Sequence, residues 1–315
     1  MAEDRTANPA ANPRILILGA SGQLGHELQR SFAGLGPIVA AGREAADLAD
    51  ASQIRALVRR VEPDLILNAA AYTDVDRAES EPGLAHAINA EAPCVLAEEA
   101  ARGNALLVHY STDYVFDGFK LDPWTEDDLP NPLNAYGASK LAGEQAIRGV
   151  GCRALIFRAS WVYSPRGKNF LLTMLRLARE RERISIVDDQ SGAPTSAFEL
   201  ARATRAVVGG VLSGDFGPPR QWTGIYHMTC SGSTSWFGFA QAIFERAATL
   251  LNVKAPELVP VRTAEFPTPA RRPRNSILSN AKLQIAFGFE LVPWQSALDQ
   301  VLQAIRDPAS TSTEK

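Results

Sequence analysis

The chain has 315 residues, 46% of them apolar, with 32 basic and 35 acidic side chains and a formal net charge of −3. That length can bury one large core or two smaller ones, and the charge balance gives no long-range attraction for nucleic acid or an anionic membrane. The three cysteines, Cys94, Cys152 and Cys230, make no Cys-x-x-Cys pair. This suits a reducing compartment and argues against a disulfide framework or a clustered zinc site. Four scattered histidines, His26, His86, His109 and His227, read as packing or surface residues.

Residues 1–12 are polar and alanine-rich, without the apolar segment of a signal peptide. No uncharged run is long enough for a membrane span. The expectation is a cytoplasmic protein, with residues 1–12 a disordered extension and 308–315 a flexible tail. The first element is an apolar strand ending at Leu18, followed by Gly19-Ala-Ser-Gly-Gln-Leu-Gly25 and a helical pattern through Leu28 and Phe32. Strand, glycine loop and helix in that order are what a dinucleotide needs. Gly19 permits the turn, Gly22 lets backbone amides near a pyrophosphate, and Gly25 lets helix and sheet pack closely. The helix N-terminus faces the phosphates.

Ile38–Ala41 reads as the second strand. Gly42 places no carboxylate at its end, and Arg43 can pair with a 2′-phosphate, which favours NADPH over NADH. Asp47 and Leu48 follow where a loop reaches an adenine. A helix is expected from Ser52 to Arg60, opened by Asp50 or Ser52. The third strand, 65–68, delivers Asn68-Ala-Ala-Ala-Tyr-Thr73, whose small residues suit a flat cofactor. A continuous helix is expected from Ala85 to Ala101, with Asn89 buttressing the sheet. The fourth strand, 105–110, ends in Ser111-Thr-Asp113. There Thr112 can donate to a carbonyl oxygen and Asp113 can orient a neighbouring hydroxyl.

Asn134-Ala-Tyr-Gly-Ala-Ser-Lys140 opens the next helix. Its four-residue step puts Tyr136 and Lys140 on one face, about one turn apart. Tyrosine offers a proton, and lysine stabilises the phenolate left behind, so the ammonium is expected to lower the phenol pKa. A strand follows over 151–158, then Trp161, which is either a flat apolar wall of a site or a core side chain. Helices over 169–181, 199–208 and 235–250 and strands over 184–187, 225–228 and 258–261 come next. The proline-stiffened run Phe266 to Arg274 either presents Arg271 or Arg272 to a diphosphate or is a solvated loop. Two short helical patterns end the chain. The order predicts an α/β fold: a Rossmann-type parallel sheet flanked by helices over 13–170, then a smaller mixed α/β substrate-binding domain over 171–307 that returns segments to the first.

Taken together, these motifs resemble the dTDP-4-dehydrorhamnose reductase family of extended short-chain dehydrogenases/reductases. The resemblance runs from about Arg14 to Ile305. It rests on the glycine loop, Asn68 to Asp76, Tyr110 to Phe116, Tyr136 to Lys140, Phe157 to Tyr163, Asp189 to Thr195 and Pro267 to Pro273. It implies reduction of the C4 ketone of dTDP-4-dehydro-6-deoxy-L-mannose to dTDP-L-rhamnose. The implied catalytic residues are Thr112, Tyr136 and Lys140. Implied cofactor contacts are Gly19, Ser21, Gly22, Gln23, Leu24, Gly25, Arg43, Asp47, Leu48, Ala71, Tyr72, Thr73, Tyr110, Tyr136 and Lys140, with NADPH as cofactor and NADH the other candidate. Implied sugar contacts are Thr112, Asp113, Tyr136 and Trp161, with Arg271 and Arg272 on the diphosphate. Some relatives bind Mg2+ between subunits through glutamates. Glu27 matches one such position, but Phe198 stands where another is needed, which argues against a metal site. Monomer and homodimer are both left open. Two rival readings are an epimerase or dehydratase of the same fold, and a non-enzymatic cofactor-sensing subunit. A dehydratase would want a glutamate where Tyr114 stands, and a sensor need not keep Thr112, Tyr136 and Lys140 together.

Overall fold

The computed structural model describes residues 12–307, so the expectations for 1–11 and 308–315 lie outside it. Five strands, β1 (Ile15–Leu18), β2 (Ile38–Ala41), β3 (Leu65–Asn68), β4 (Leu106–Thr112) and β5 (Ala154–Ala159), form a sheet in the spatial order β2-β1-β3-β4-β5. The Gly224–His227 strand lies outermost beside β5, and every neighbouring pair is parallel. The winding reverses between β1 and β3. In an open α/β sheet, a ligand crevice forms at such a reversal, beyond the carboxyl ends of the strands.

Both faces of this sheet are covered, which is why its strands read as continuous apolar runs rather than alternating ones. Ile15, Ile17, Leu65 and Leu67 face one core with α1 (Gln23–Ser31) and the Ala197–Ser213 helix. Leu16, Leu18 and Ile66 face the other with α2 (Ala51–Val61) and the Ala92–Gly103 helix. Asp50 caps α2, its side chain accepting from the amides of Ser52 and Gln53. A third core joins the helices Phe170–Glu180, Trp236–Leu250 and Trp294–Arg306 to a parallel pair of strands, Arg183–Val187 and Glu257–Val261. The second half of the sequence is thus shared. Residues 197–213 and 224–227 complete the large sheet, and the rest builds the smaller α/β layer.

Two elements depart from the sequence reading. The helix expected from Ala85 to Ala101 is broken: Pro82–His86, a π-helical turn Ala87–Glu91, then Ala92–Gly103. Pro93 has no amide to bond the Asn89 carbonyl, and its ring needs room there, so the turn widens. Strand β4 runs on to Thr112, which pairs in register with Ala159. The Thr112 side chain is therefore set by the sheet rather than by a loop. No helix among the described residues is long and apolar enough to cross a membrane.

Candidate active site

The glycine loop leaves β1 at the winding reversal. Gly19 has φ +75°, and a Cβ there would lie 2.8 Å from the Ala70 backbone, so the loops after β1 and β3 touch where only glycine fits. At Gly25 a Cβ would overlap the Gly19 carbonyl oxygen, which sets α1 directly on the loop. Helix α1 opens with neither a side-chain cap nor an acidic residue in its first turn. Its leading amides at Gln23, Leu24 and Gly25 are therefore open to an anion such as a pyrophosphate. Ser21 is exposed beside them, and Leu24 sends its side chain into the core. The Gln23 side chain instead ties the loop to the start of the second half, its Oε1 accepting from Asn169 Nδ2 at 2.8 Å and Ser164 Oγ at 3.1 Å. These residues fit a dinucleotide through backbone rather than side chains.

At the end of β2, Arg43 is exposed. The sequence reading found no carboxylate here, but the structure supplies one: Gly42 N donates to Glu44 Oε1 at 3.1 Å. Asp47 accepts from Ala49 N at 3.0 Å and so shapes the loop carrying half-buried Leu48. After β3, Ala71, Tyr72 and Thr73 form the opposite wall. The π-helical turn explains their placement. Asn89 Oδ1 accepts from Tyr72 N at 2.8 Å, and Asn89 Nδ2 donates to Tyr72 O and to Ser139 Oγ, both at 3.0 Å. Asn89 thus buttresses the cofactor wall and the Tyr136 helix together.

That helix, Ala135–Val150, is capped by Asn134, whose Oδ1 accepts from Gly137 N at 2.8 Å. Asn134 Nδ2 also donates to the Arg271 carbonyl at 2.8 Å, so the cap reaches the basic segment. At Gly137 and Gly143 a Cβ would overlap the carbonyl oxygens of Tyr114 and Asn89. Gly137 lets the helix press against the turn after β4, and Gly143 lets it press against the π-helical turn. Lys140 is buried, and its Nζ donates to the Tyr110 carbonyl at 2.6 Å with His109 Nε2 at 3.3 Å. Burial pushes the ammonium down to about 8, partly opposed by Glu144 one turn on. Tyr136 is part-exposed, and its hydroxyl bonds the Thr112 side chain.

Burial pushes the Tyr136 phenol up to about 12; the expected lowering was one that the ammonium shares with a cationic nicotinamide ring. Lys140 bonds Tyr110 O and His109, and burial dominates. A phenol so placed keeps its proton at neutral pH, which suits a donor. Tyr110 turns its hydroxyl away, donating to Thr204 Oγ1 at 2.9 Å inside the core, and presents its carbonyl to Lys140.

Thr112 donates to Asp113 Oδ1 at 2.9 Å, and Ser160 Oγ donates to Asp113 Oδ2 at 3.2 Å. With both oxygens engaged, Asp113 anchors Thr112. Its burial raises the carboxyl to about 6, opposed by bonds from Ser276, Thr112 and Ser160. On the far side, Trp161 has φ +49° and stacks on Trp236 with ring centroids 3.5 Å apart. A bulky residue in the left-handed region is strained and marks a constrained loop. Of the two arginines, Arg272 is already committed: its fork grips Asp76, Nη2 to Oδ2 at 2.7 Å and Nη1 to Oδ1 at 3.0 Å. Arg271 is exposed. Glu27 is buried with Arg30 3.6 Å away, and Phe198 is exposed; no cluster of three potential metal ligands occurs among the described residues.

Asn89 was read from sequence as a buttress; Glu44, Asn134, Ser160 and Trp236 were not singled out. Of those four only Asn134, an Asx residue opening an apolar helical pattern, carried a signal that could have found it.

A Rossmann-type sheet with an open helix N-terminus at its winding reversal, and a Tyr-x-x-x-Lys helix beside a strand-end threonine, defines an oxidoreductase of the short-chain type. The family described as RmlD substrate binding domain matches residues 13–307. A dTDP-4-dehydrorhamnose reductase of Burkholderia thailandensis is 47% identical over 296 residues, covering 90% of this chain and 96% of that protein. The Escherichia coli K12 protein of the same name is 42% identical, covering 92% and 97%. The crystal structure of a Bacillus anthracis dTDP-4-dehydrorhamnose reductase in complex with NADP superposes with a TM-score of 0.83 at 37% identity, covering 92% and 98%. The chain belongs to the dTDP-4-dehydrorhamnose reductase family.

Proposed function

We propose that the chain reduces the C4 ketone of dTDP-4-dehydro-6-deoxy-L-mannose to dTDP-L-rhamnose, with Tyr136 as proton donor, Thr112 as second hydrogen-bond donor and Lys140 as the charge that supports the phenolate. The observation that carries the reading is the convergence of these three side chains beyond β4: Tyr136 on Thr112, and Lys140 on the carbonyl of Tyr110. When bound, a nicotinamide cofactor supplies the hydride. As charge grows on the former carbonyl oxygen, Tyr136 gives up its proton there, and Thr112 turns its single hydroxyl proton from Asp113 to that oxygen to donate a second bond. The Lys140 ammonium then offsets the phenolate charge. Trp161 closes the sugar side, and Arg271 meets the diphosphate.

For the cofactor, the reading is NADPH preferred over NADH. Exposed Arg43 favours a 2′-phosphate. The Glu44 carboxylate on the Gly42 amide opposes it and keeps NADH usable. The test is product identification after incubation with the dTDP-4-keto sugar and either cofactor. Stoichiometric consumption of NADPH with dTDP-L-rhamnose as product is expected, whereas an epimerase or dehydratase would return its hydride and consume none. Tyr136→Phe is expected to keep cofactor binding and lose roughly 10²-fold or more in turnover. Turnover near wild type in that variant removes Tyr136 from its role.

A further inference from the structure

Two buried polar side chains interrupt the apolar runs of neighbouring strands in the middle of the sheet. Asn68 closes β3 and His109 sits in the middle of β4, paired in register, both with 1% exposure or less. A buried imidazole or amide is costly without partners. Theirs lead one way: Asn68 Nδ2 is 3.0 Å from His109 Nδ1, and His109 Nε2 is 3.3 Å from Lys140 Nζ. A polar lane thus runs from β3 through β4 to the Tyr136 helix and ends on the one ammonium the site uses.

We propose that His109 is a positioning residue, a neutral acceptor that holds the Lys140 ammonium in place behind the phenol and tunes its hold on its proton. The inference rests on the role given to Lys140 above. An ammonium has three donors and no acceptor. The Tyr110 carbonyl takes one, the His109 lone pair takes a second, and the third is left for the site. The ring can accept only while neutral, and burial followed by the Lys140 charge keeps it so, well below its ordinary pKa. With Nε2 accepting, Nδ1 carries the ring proton and needs an acceptor of its own. Asn68 Oδ1, buried and without a hydrogen-bond partner, reaches it by a half-turn of the amide. On its own helix Lys140 has Tyr136 one turn before it and Glu144 one turn after, the latter bound by Arg158 from β5 and by Ser111. The acceptors within hydrogen-bond reach of Nζ are the Tyr110 carbonyl and the His109 ring.

The experiment is the pH dependence of kcat/KM for wild type, His109→Phe, His109→Asn, His109→Gln and Lys140→Met. Wild type is expected to lose activity as pH rises through the Lys140 value of about 8. Without the imidazole acceptor the charged form is less favoured, so the descending limb in His109→Phe moves down by about one pH unit. That is roughly a fivefold loss at pH 8, nearly tenfold at pH 9 and almost none at pH 6. His109→Asn, too short to reach Nζ, should move the limb likewise and keeps the test open should the Phe variant not fold. His109→Gln, long enough to present an oxygen near the Nε2 position, should restore it. A loss uniform across pH, an unmoved limb, or no difference between Asn and Gln overturns the inference. Lys140→Met separates the two readings. If that variant turns over normally, the role of Lys140 itself fails. If it is inactive while the His109 variants keep the wild-type limb, only the inference fails.

Discussion

The two walls of the cleft are built by different means. The wall proposed for the cofactor is made of backbone: an uncapped helix start, Gly19 against Ala70, and the Tyr72 main chain held by Asn89. The wall proposed for the sugar is made of side chains in networks: Thr112 on Asp113, Trp161 on Trp236, Arg272 on Asp76. A backbone wall fails when something is added to it, a side-chain wall when something is removed. The largest test lies where the two meet, on β5, which carries Arg158 and leads to Trp161. Arg158→Met leaves the Glu144 carboxylate buried with the Ser111 hydroxyl as its hydrogen-bond donor, and breaking such a pair costs about 3–5 kcal/mol. Urea denaturation reads the loss. Arg158→Met with Glu144→Leu should recover most of it; no recovery would mean that lost packing, not an unpaired charge, was the cause.

Asp113→Asn tests the side-chain wall through its stability. Burial raises the folded-state carboxyl to about 6 from 3.8. A carboxyl raised on folding contributes its stability below the unfolded value and loses it as pH rises through the folded one. The variant should therefore be more stable than wild type above pH 6, by on the order of 2 kcal/mol, with the gap closing as pH falls toward 4. It should also turn over more slowly, because Thr112 loses its charged anchor. Thermal melts across pH 4–8 check the first claim. A gap that does not change with pH would show that Asp113 is not held in the raised state.

Gly25→Val tests the backbone wall by addition. Its Cβ would overlap the Gly19 carbonyl, and overpacking of this kind costs about 1–3 kcal/mol. Cofactor affinity, measured by fluorescence titration of NADPH, should fall at least about tenfold, since α1 must move off the loop that presents its amides. Ser21→Ala, in the same loop but exposed, should stay within about threefold. Equal losses in the two variants would show that side chains carry this wall after all.

How legible each wall was follows from the same contrast. Backbone demands are written directly in sequence: a left-handed turn asks for Gly19, and helical spacing alone sets Tyr136 over Lys140. The first five parallel strands could be read because a sheet covered on both faces favours mostly apolar runs; the strand over 225–228 was read too, but not its place beside β5. Pairings between distant residues leave no such mark. Arg272 and Asp76 are 196 positions apart, so nothing near Arg272 said that its fork was occupied. Tyr110 read as a site residue, but nothing near it in sequence said that its carbonyl would take Lys140 while its hydroxyl turned to Thr204, 94 positions away. Glu44 was passed over because it lies two positions beyond Gly42, yet its side chain folds back on that amide. Asn89 was placed on a regular helix, whereas Pro93 forces the wide turn that aims it.

The smallest expected effect is also the sharpest for the sugar wall. Trp236 stacks on Trp161 at an interplanar angle of 8° and leans on Phe170 at 4.7 Å, so it holds the strained Trp161 loop from behind. Aromatic pairs are worth about 0.5–1.5 kcal/mol beyond the area they bury. If Trp161 faces the sugar only because Trp236 fixes its ring, Trp236→Ala should raise KM for the keto sugar roughly 2- to 13-fold by that energy. The KM for NADPH should not move, because no backbone amide of the glycine loop depends on either indole. Trp161→Ala should raise the sugar KM at least as much, and the double variant no further than Trp161→Ala alone, since Trp236 acts through its neighbour. An additive double variant would make Trp236 an independent sugar contact, and a shift in the NADPH KM would erase the division between the two walls.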